Sequence, residues 1–245
     1  MKSIIYINII WFLILNLHFV HAQELKTIKI KTPAHLGIKE EFQVLKDFPT
    51  IKQGFYKKYK YKKLIEEGYY TNNLKDSLWK EYAMSKILVG EGVYKSGIKS
   101  GVWSYYSQGN VLVQKYNYDK KLLEYFNVKV ERSIGNAPPV FPDTSNETIP
   151  IFIGGTFYMQ TYLSNNCMYP EAAFKASKTA KVYINFVVDK DGSIIDVNSL
   201  KPAGFGFDEE GVRLVTSMGK AFIPGRQKGE NVKVKFVIPI NFSLN

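Results

Sequence analysis

The side chains that most often carry acid–base, nucleophilic or metal chemistry are scarce in this 245-residue chain. Two of its three histidines lie within the first 21 residues, so His35 is the only histidine in the remainder, and Cys167 is the only cysteine. A lone histidine and a lone thiol so far apart provide no metal-ligand spacing and no disulfide. The sequence therefore predicts no catalytic residue, no metal site and no cofactor, and it favours a binding or structural protein over an enzyme.

One acidic run, Asp189-Lys190-Asp191-Gly192, is similar to part of a calcium-binding loop. The last ligand position of such a loop would be Leu200, where calcium loops place a bidentate glutamate. The run lies between two segments of alternating apolar residues, so the tight turn of a β-hairpin is the favoured interpretation.

The segment from Asn231 to Phe242 has the clearest strand pattern in the chain. Its even positions are all apolar, and Pro239 interrupts the odd ones. Because successive strand side chains point to opposite faces, this pattern predicts a strand with one buried face. Proline has no backbone N–H, so we expect this strand at the edge of a sheet, where another chain can pair with it. The alternative is that Pro239 only caps or bulges the strand and thereby prevents aggregation.

The first half of the chain is repetitive, with a period of 24 residues. Glu67-Gly68-Tyr69-Tyr70 recurs as Glu91-Gly92-Val93-Tyr94, and Trp79 recurs as Trp103. A period of this length predicts stacked supersecondary units that share a continuous core. Each unit is too short for two helices and is rich in Tyr, Trp, Val and Gly, so the prediction is an antiparallel β-meander.

This repeat, Glu-Gly-x-Tyr followed by a turn and then Gly-x-Trp-x-x-Tyr, resembles the MORN-type repeat family. We place the repeat domain at residues 42–130. Ser77 stands where the pattern has glycine. Aromatic residues in that family are chiefly packing residues, so the resemblance implies a scaffold or an interaction surface.

The periodicity stops in a proline-bearing segment, residues 131–150, which we interpret as a linker. Beyond it, residues 151–245 alternate helical and strand patterns. We expect a helix around Tyr158, a short helix after Pro170, a hairpin turning at 189–193, a helix capped by Asp208, and the final strand. This order predicts a small α+β domain with helices packed on one face of an antiparallel sheet, and an α+β class for the whole chain.

Four ordered motifs in this domain resemble the C-terminal domain of the TonB energy-transducer family. They are Tyr169-Pro170-Glu171-Ala172-Ala173, the segment 181–192, Pro224-Gly225-Arg226-Gln227-Lys228-Gly229 and Ile238-Pro239-Ile240-Asn241-Phe242. The resemblance implies a non-enzymatic domain that binds outer-membrane, TonB-dependent receptors by adding a receptor segment as a strand to its own sheet, with a role in energy-coupled transport. The predicted partner-binding residues are Tyr169, Pro170, Lys233, Lys235, Val237 and Pro239. Asn166, Cys167 and Phe222 depart from the family pattern, which leaves the choice of receptor open.

The start of the chain predicts export. Lys2 is followed by an apolar run from Ile4 to Val20 and then by Val20-His21-Ala22, a cleavage site of the small-residue kind. We therefore expect residues 1–22 to be a signal peptide, followed by a lead segment at 23–41, in a periplasmic protein. The alternative is an inner-membrane anchor over residues 4–20, near the lower length limit of a span. Inner-membrane motor proteins would then be additional partners.

Positive charge is concentrated in the first half. Residues 23–130 hold 20 lysines against 11 acidic residues, whereas residues 131–245 hold 12 basic and 11 acidic residues. A basic surface attracts anionic polymers and lipids. The alternative function is thus an envelope-associated scaffold that uses the basic repeat face. Nucleic acid is not an expected partner, because an exported protein seldom meets it, and a homodimer stays open.

Overall fold

The computed structural model describes residues 23–134 and 148–244. The predicted signal peptide or anchor, and residues 135–147 of the predicted linker, lie outside these ranges. Within them, no helix is both long enough and apolar enough to cross a bilayer.

Nine strands form one antiparallel sheet in which each strand pairs with its neighbours in sequence. They are β1 (Leu25–Lys31), β2 (Ile38–Leu45), β3 (Lys52–Lys60), β4 (Lys63–Thr71), β5 (Leu74–Tyr82), β6 (Leu88–Lys95), β7 (Ile98–Tyr106), β8 (Leu112–Asn117) and β9 (Leu122–Phe126). A single 3-10 turn, Gln108–Asn110, separates β7 from β8. This sheet is the predicted meander, and the lead segment 23–41 contributes β1 and the start of β2 to it.

Equivalent residues of the repeat make equivalent contacts. Trp79 and Trp103 are fully buried on the inner face of the sheet. Their indole N–H groups donate to the backbone carbonyls of Tyr69 and Val93 at 3.1 and 3.0 Å. On the outer face, tyrosine hydroxyls donate to glutamates of the preceding strand: Tyr82 to Glu67 at 2.7 Å and Tyr106 to Glu91 at 2.9 Å. The period of the sequence is therefore also the period of the packing.

The glycine of each Glu-Gly pair makes room for a tryptophan ring. A Cβ on Gly92 would lie 2.4 Å from the ring of Trp103. A Cβ on Gly68 would likewise lie 2.3 Å from the ring of Trp79. We expect Gly92→Ala to lower the free energy of unfolding by about 2 kcal/mol, within the usual range for overpacking. Gly90→Ala in the same strand is the control, because its Cβ would lie 3.2 Å from Tyr105. Equal losses for both variants in urea unfolding would contradict this steric explanation.

The rest of the described chain forms the C-terminal α+β region. Its elements are α1 (Val128–Ile134), β10 (Ile151–Phe152), α2 (Gly155–Asn166), α3 (Glu171–Lys175), β11 (Ala180–Val188), β12 (Ile194–Ser199), α4 (Phe207–Thr216), β13 (Phe222–Ile223), β14 (Gly225–Gln227), β15 (Glu230–Val232) and β16 (Val234–Phe242). A three-stranded antiparallel sheet has the order β12-β11-β16, and β10 with β13 and β14 with β15 form two small pairs. The predicted α+β class is confirmed.

Asp208 does not cap α4 as the sequence predicted. The residue before the helix is Gly206, in the left-handed conformation at φ 84°. The Asp208 carboxylate instead accepts hydrogen bonds from the backbone N–H groups of Ala203 and Gly204 at 2.7 and 2.9 Å. It therefore closes the loop that leads into the helix.

One hydrophobic core runs through both halves of the described chain. Tyr105 of β7 contacts Tyr158 of α2, with ring centroids 4.7 Å apart. Gln114 of β8 is fully buried; its side-chain amide donates to the carbonyl of Phe152 at 3.1 Å, and its oxygen accepts from the N–H of Gly154 at 2.7 Å. The meander is thus packed directly against the C-terminal region.

Candidate functional site

β16 is an edge strand. It pairs with β11 over nine residue pairs, and no other described strand pairs with its second side. Ile240 and Phe242 point into the core, whereas Lys235, Val237 and Pro239 are exposed. The prediction of an edge strand with one buried face is confirmed for the segment from 234 to 242.

The open side of β16 offers the backbone groups of alternate residues. The N–H of Leu200 donates to the carbonyl of Tyr183 at 2.9 Å, so Tyr183 directs its backbone groups away from β16. Tyr183 lies opposite Pro239. Tyr183 and Pro239 therefore form a non-hydrogen-bonded pair, in which the backbone N–H and C=O groups of both residues face away from the partner strand. Alternation then gives the residues whose backbone groups face the open edge: Lys235, Val237, Pro239 and Asn241.

This geometry explains how β16 accommodates a proline. Pro239 has no N–H to donate, and it occupies a position where the ladder with β11 requires none. The missing donor is on the open side instead. The edge therefore presents the N–H groups of Lys235, Val237 and Asn241, while Pro239 contributes only a carbonyl.

Lys233 lies outside the edge strand. The sequence predicted one strand from Asn231 to Phe242, but the structure divides this segment between β15 and β16, with Lys233 at the junction. β15 pairs with β14 in a separate hairpin, so the chain changes its partner strand at this point. The ammonium Nζ of Lys233 is 3.5 Å from Oδ1 of Asp189.

Tyr169 and Pro170 lie in the connection between α2 and α3. Tyr169 packs edge-on against Phe207 of α4 and Phe242 of β16, with ring centroids 5.9 and 6.2 Å apart. Its hydroxyl donates to the carbonyl of Lys178, and Pro170 immediately precedes α3. The structure thus places Tyr169 at the end of β16, where it holds the strand against the helices.

Lys60 is a contact residue that the sequence analysis missed. It is 4% exposed, and its ammonium donates to the carbonyls of Ser164 and Cys167 at 2.6 and 2.7 Å. These carbonyls lie at the C-terminal end of α2, where the helix dipole favours a cation. Burial lowers the pKa of Lys60. The available signal was its even spacing from Tyr56, which places both side chains on the buried face of β3.

Cys167 is half-buried and is held beside Lys60. Burial raises the pKa of its thiol to about 11, so the thiol stays protonated at neutral pH and is a poor nucleophile.

The ring of His35 lies 5.3 Å from that of Phe174. In the part of the chain that the structure describes, no three His, Cys, Asp or Glu side chains converge as a metal site.

Residues 165–244 match the family model described as Gram-negative bacterial TonB protein C-terminal. The matched range begins near the end of α2 and includes all of β11, β12 and β16, which supports a TonB C-terminal domain in this part of the chain. The family that this model describes is a non-enzymatic energy-transducer family of the bacterial envelope, and its domains generally interact with outer-membrane receptors.

No curated protein matches the chain. Among solved structures, the crystal structure of TarM is similar at 15% sequence identity and a TM-score of 0.26, over 43% of this chain and 22% of that chain. The chain thus spans about a fifth of the length of that structure.

Proposed function

We propose that this protein binds an outer-membrane, TonB-dependent receptor by pairing with the open edge of β16. The observation that supports this most strongly is the row of outward backbone groups at Lys235, Val237 and Asn241. A short extended receptor segment would add as the next strand in the order β12-β11-β16. Main-chain hydrogen bonds would then supply most of the affinity. The protein would act in the periplasm, in envelope transport.

The predicted partner-binding residues have different roles in this proposal. Lys235 and Val237 contact the added strand through their backbones. Pro239 limits pairing, because it offers no donor on the open side. Tyr169 and Pro170 act indirectly, by holding the end of β16 in place. Lys233 borders the site, and its ammonium pairs with Asp189 beyond the end of β11.

We propose that the repeats, which resemble the MORN type, act as a second docking surface. Gln114 and Lys60 of the meander contact the C-terminal region. These contacts favour a meander that is joined rigidly to the receptor-binding sheet, and they argue against a role as a flexible spacer. Inner-membrane motor proteins belong to the proposal only if residues 4–20 remain as an anchor.

The proline scan of the open edge tests strand addition. Lys235→Pro removes an outward N–H and leaves the ladder with β11 intact, so it should weaken binding of a synthetic receptor peptide at least about tenfold. Lys235→Ala is the matched control and should change the affinity less than about twofold, because the side chain is not the main contact. Pro239→Ala restores an outward donor and should tighten binding. Titration calorimetry measures all three variants.

Circular dichroism must first show that each variant is folded. If folded Lys235→Pro and Lys235→Ala bind the peptide equally, strand addition at this edge is wrong. The second candidate function, an envelope scaffold, would then be preferred. That candidate is favoured by the exposed lysines of β1, which are Lys26, Lys29 and Lys31. It predicts binding to anionic polymer that Lys235→Pro does not affect.

A further inference from the structure

The outer face of the meander carries an exposed apolar strip that receptor binding does not use. The strip crosses β3 to β7, and its members are the half-buried Phe55 and the exposed Tyr69, Leu78, Val93 and Val102. Tyr69 is 54% exposed and Leu78 is 47% exposed. A depression of about 250 Å³ lies between Phe55, Tyr69 and Leu78. Contiguous apolar side chains on a solvent face of this kind mark an interaction surface.

A row of alternating charges runs beside the strip on the same strands. In cross-strand order its four central members are Lys57, Glu67, Lys80 and Glu91, each opposite the next. The row continues through Glu41 to Lys29 on one side and through Ser104 to Lys115 on the other. The ammonium of Lys57 is 3.9 Å from the carboxylate of Glu67. Each of the four central charged residues is two positions from a member of the strip, so the row and the strip lie on one face.

We propose that this face binds a second copy of the same chain. The two-fold axis would run parallel to the strands, midway between β4 and β5. Rotation about that axis exchanges β4 with β5 and β3 with β6 between the two sheets. It places Glu67 opposite Lys80 of the partner subunit and Lys57 opposite Glu91 of the partner subunit. Each of the four central charges then faces its opposite, whereas at the rim Lys29 meets the partner's Lys115.

Four members of the apolar strip follow the same symmetry, whereas Val102 lies over β2 of the partner subunit. Tyr69 is level with Asp76, because the register between β4 and β5 shifts beside it. The rotation therefore places Tyr69 over the partner's segment from Asp76 to Leu78, and Phe55 over the partner's segment from Val93 to Lys95. An interface between identical copies must be complementary to itself. The order plus, minus, plus, minus has this property about its centre, whereas a row of one sign would repel its copy. The four central charges are therefore complementary to a second copy of this chain.

The sheet is large enough for a stable dimer. With the axis between β4 and β5, the eight strands β1 to β8 overlap the partner sheet. Spaced about 4.8 Å apart, and each up to about 30 Å long, they give a shared face of roughly 1,000 Å². A standard interface buries about 800 Å² on each partner. β16 belongs to the other sheet, so the dimer leaves the proposed receptor edge free. The inference goes beyond receptor binding and does not depend on it.

Charge reversal with rescue tests the arrangement. Sedimentation equilibrium of the purified protein should show a dimer. Lys80→Glu places a carboxylate opposite the partner's Glu67 and should weaken the dimer at least about tenfold. The double variant Glu67→Lys/Lys80→Glu re-establishes opposite charges across the axis and should recover most of the affinity. Leu78→Ser, at an exposed position that should not affect folding, should also weaken the dimer.

Ile98→Ser is the matched control. Ile98 is an apolar residue of the same sheet and is 72% exposed. It begins β7 and lies outside the strip, so its replacement should leave the dimer unchanged. A monomer at all concentrations up to about 100 μM would overturn the proposal. A dimer that Lys80→Glu does not weaken, or that the double variant does not rescue, would overturn it as well. A dimer abolished by Lys235→Pro instead would assign the contact to β16.

Discussion

Trp103→Ala should lower the free energy of unfolding by about 3–5 kcal/mol, the range for removing a large aromatic side chain from a core. Trp103 is fully buried. The Trp103 ring stacks on the ring of Tyr105, with 6.2 Å between the centroids. The ammonium of Lys99 lies 3.7 Å from the centroid of the Trp103 ring. Tyr105 in turn contacts Tyr158 of α2. The loss should therefore destabilise the C-terminal region together with the meander.

Urea unfolding followed by far-ultraviolet circular dichroism and by near-ultraviolet signals from the aromatic residues measures this effect. Ile98→Ala is the control, since that side chain is largely exposed, and its expected loss is below about 0.5 kcal/mol. Both probes should report one shared transition in the variant and in the parent protein. An early, separate transition of either half would contradict a single cooperative core.

Raising the pH above 10 should destabilise the protein steeply. Burial raises the pKa of Tyr70 to about 12 and the pKa values of Tyr94, Tyr105 and Tyr158 further still. The unfolded chain releases these protons near pH 10, whereas the folded chain retains them. Stability from these hydroxyls is thus complete below pH 10 and falls as the pH rises. Each fully buried tyrosine, such as Tyr105, contributes a slope of up to about 1.4 kcal/mol per pH unit.

The buried lysines act in the opposite direction. Burial lowers the pKa values of Lys60 and Lys99, so the unfolded state binds more protons than the folded state between those lowered values and the usual lysine pKa. Their contribution makes stability rise with pH within that window. It ends near pH 10.5, the usual lysine value. Above that pH only the tyrosine effect remains, and the net change is a loss.

Urea unfolding between about pH 8 and about pH 11.5 measures the slope, and tyrosinate absorbance identifies the groups that titrate. Tyr94→Phe should make the slope shallower, because it removes one buried hydroxyl. Tyr125→Phe is the control at a position 41% exposed and should leave the slope unchanged. Constant stability across this range would contradict the burial of the tyrosine hydroxyls.

The features that the sequence predicted correctly depend on local spacing. Trp79 and Trp103 are one period apart, and their packing repeats with that period. Pro239 could be assigned to an edge because its missing N–H excludes it from a central strand, whatever the neighbouring strands are. Both inferences require no knowledge of which distant residues come together.

The features that were missed depend on distant partners. Lys60 binds carbonyls more than 100 positions away, and no local pattern encodes such a contact. The alternation of apolar and polar residues continues through Lys233, although the chain changes there from β15 to β16. An alternation of this kind shows which side chains face the core, but it does not show which strand is the pairing partner. Asp208 has the composition expected of a helix start, but the same carboxylate serves a loop equally well.

The strand order has a consequence for how the chain folds. Strands of the meander pair with their sequence neighbours, so each hairpin closes a short loop and the sheet can grow from any of them. β16 instead pairs with β11 across 46 to 62 positions, which carries a larger loop-closure entropy and slows formation of that contact. β11 is rich in Val, Ile and Phe and remains an open edge until β16 arrives. A chain that ends before β16 should therefore expose an aggregation-prone strand in place of the proline-bearing one.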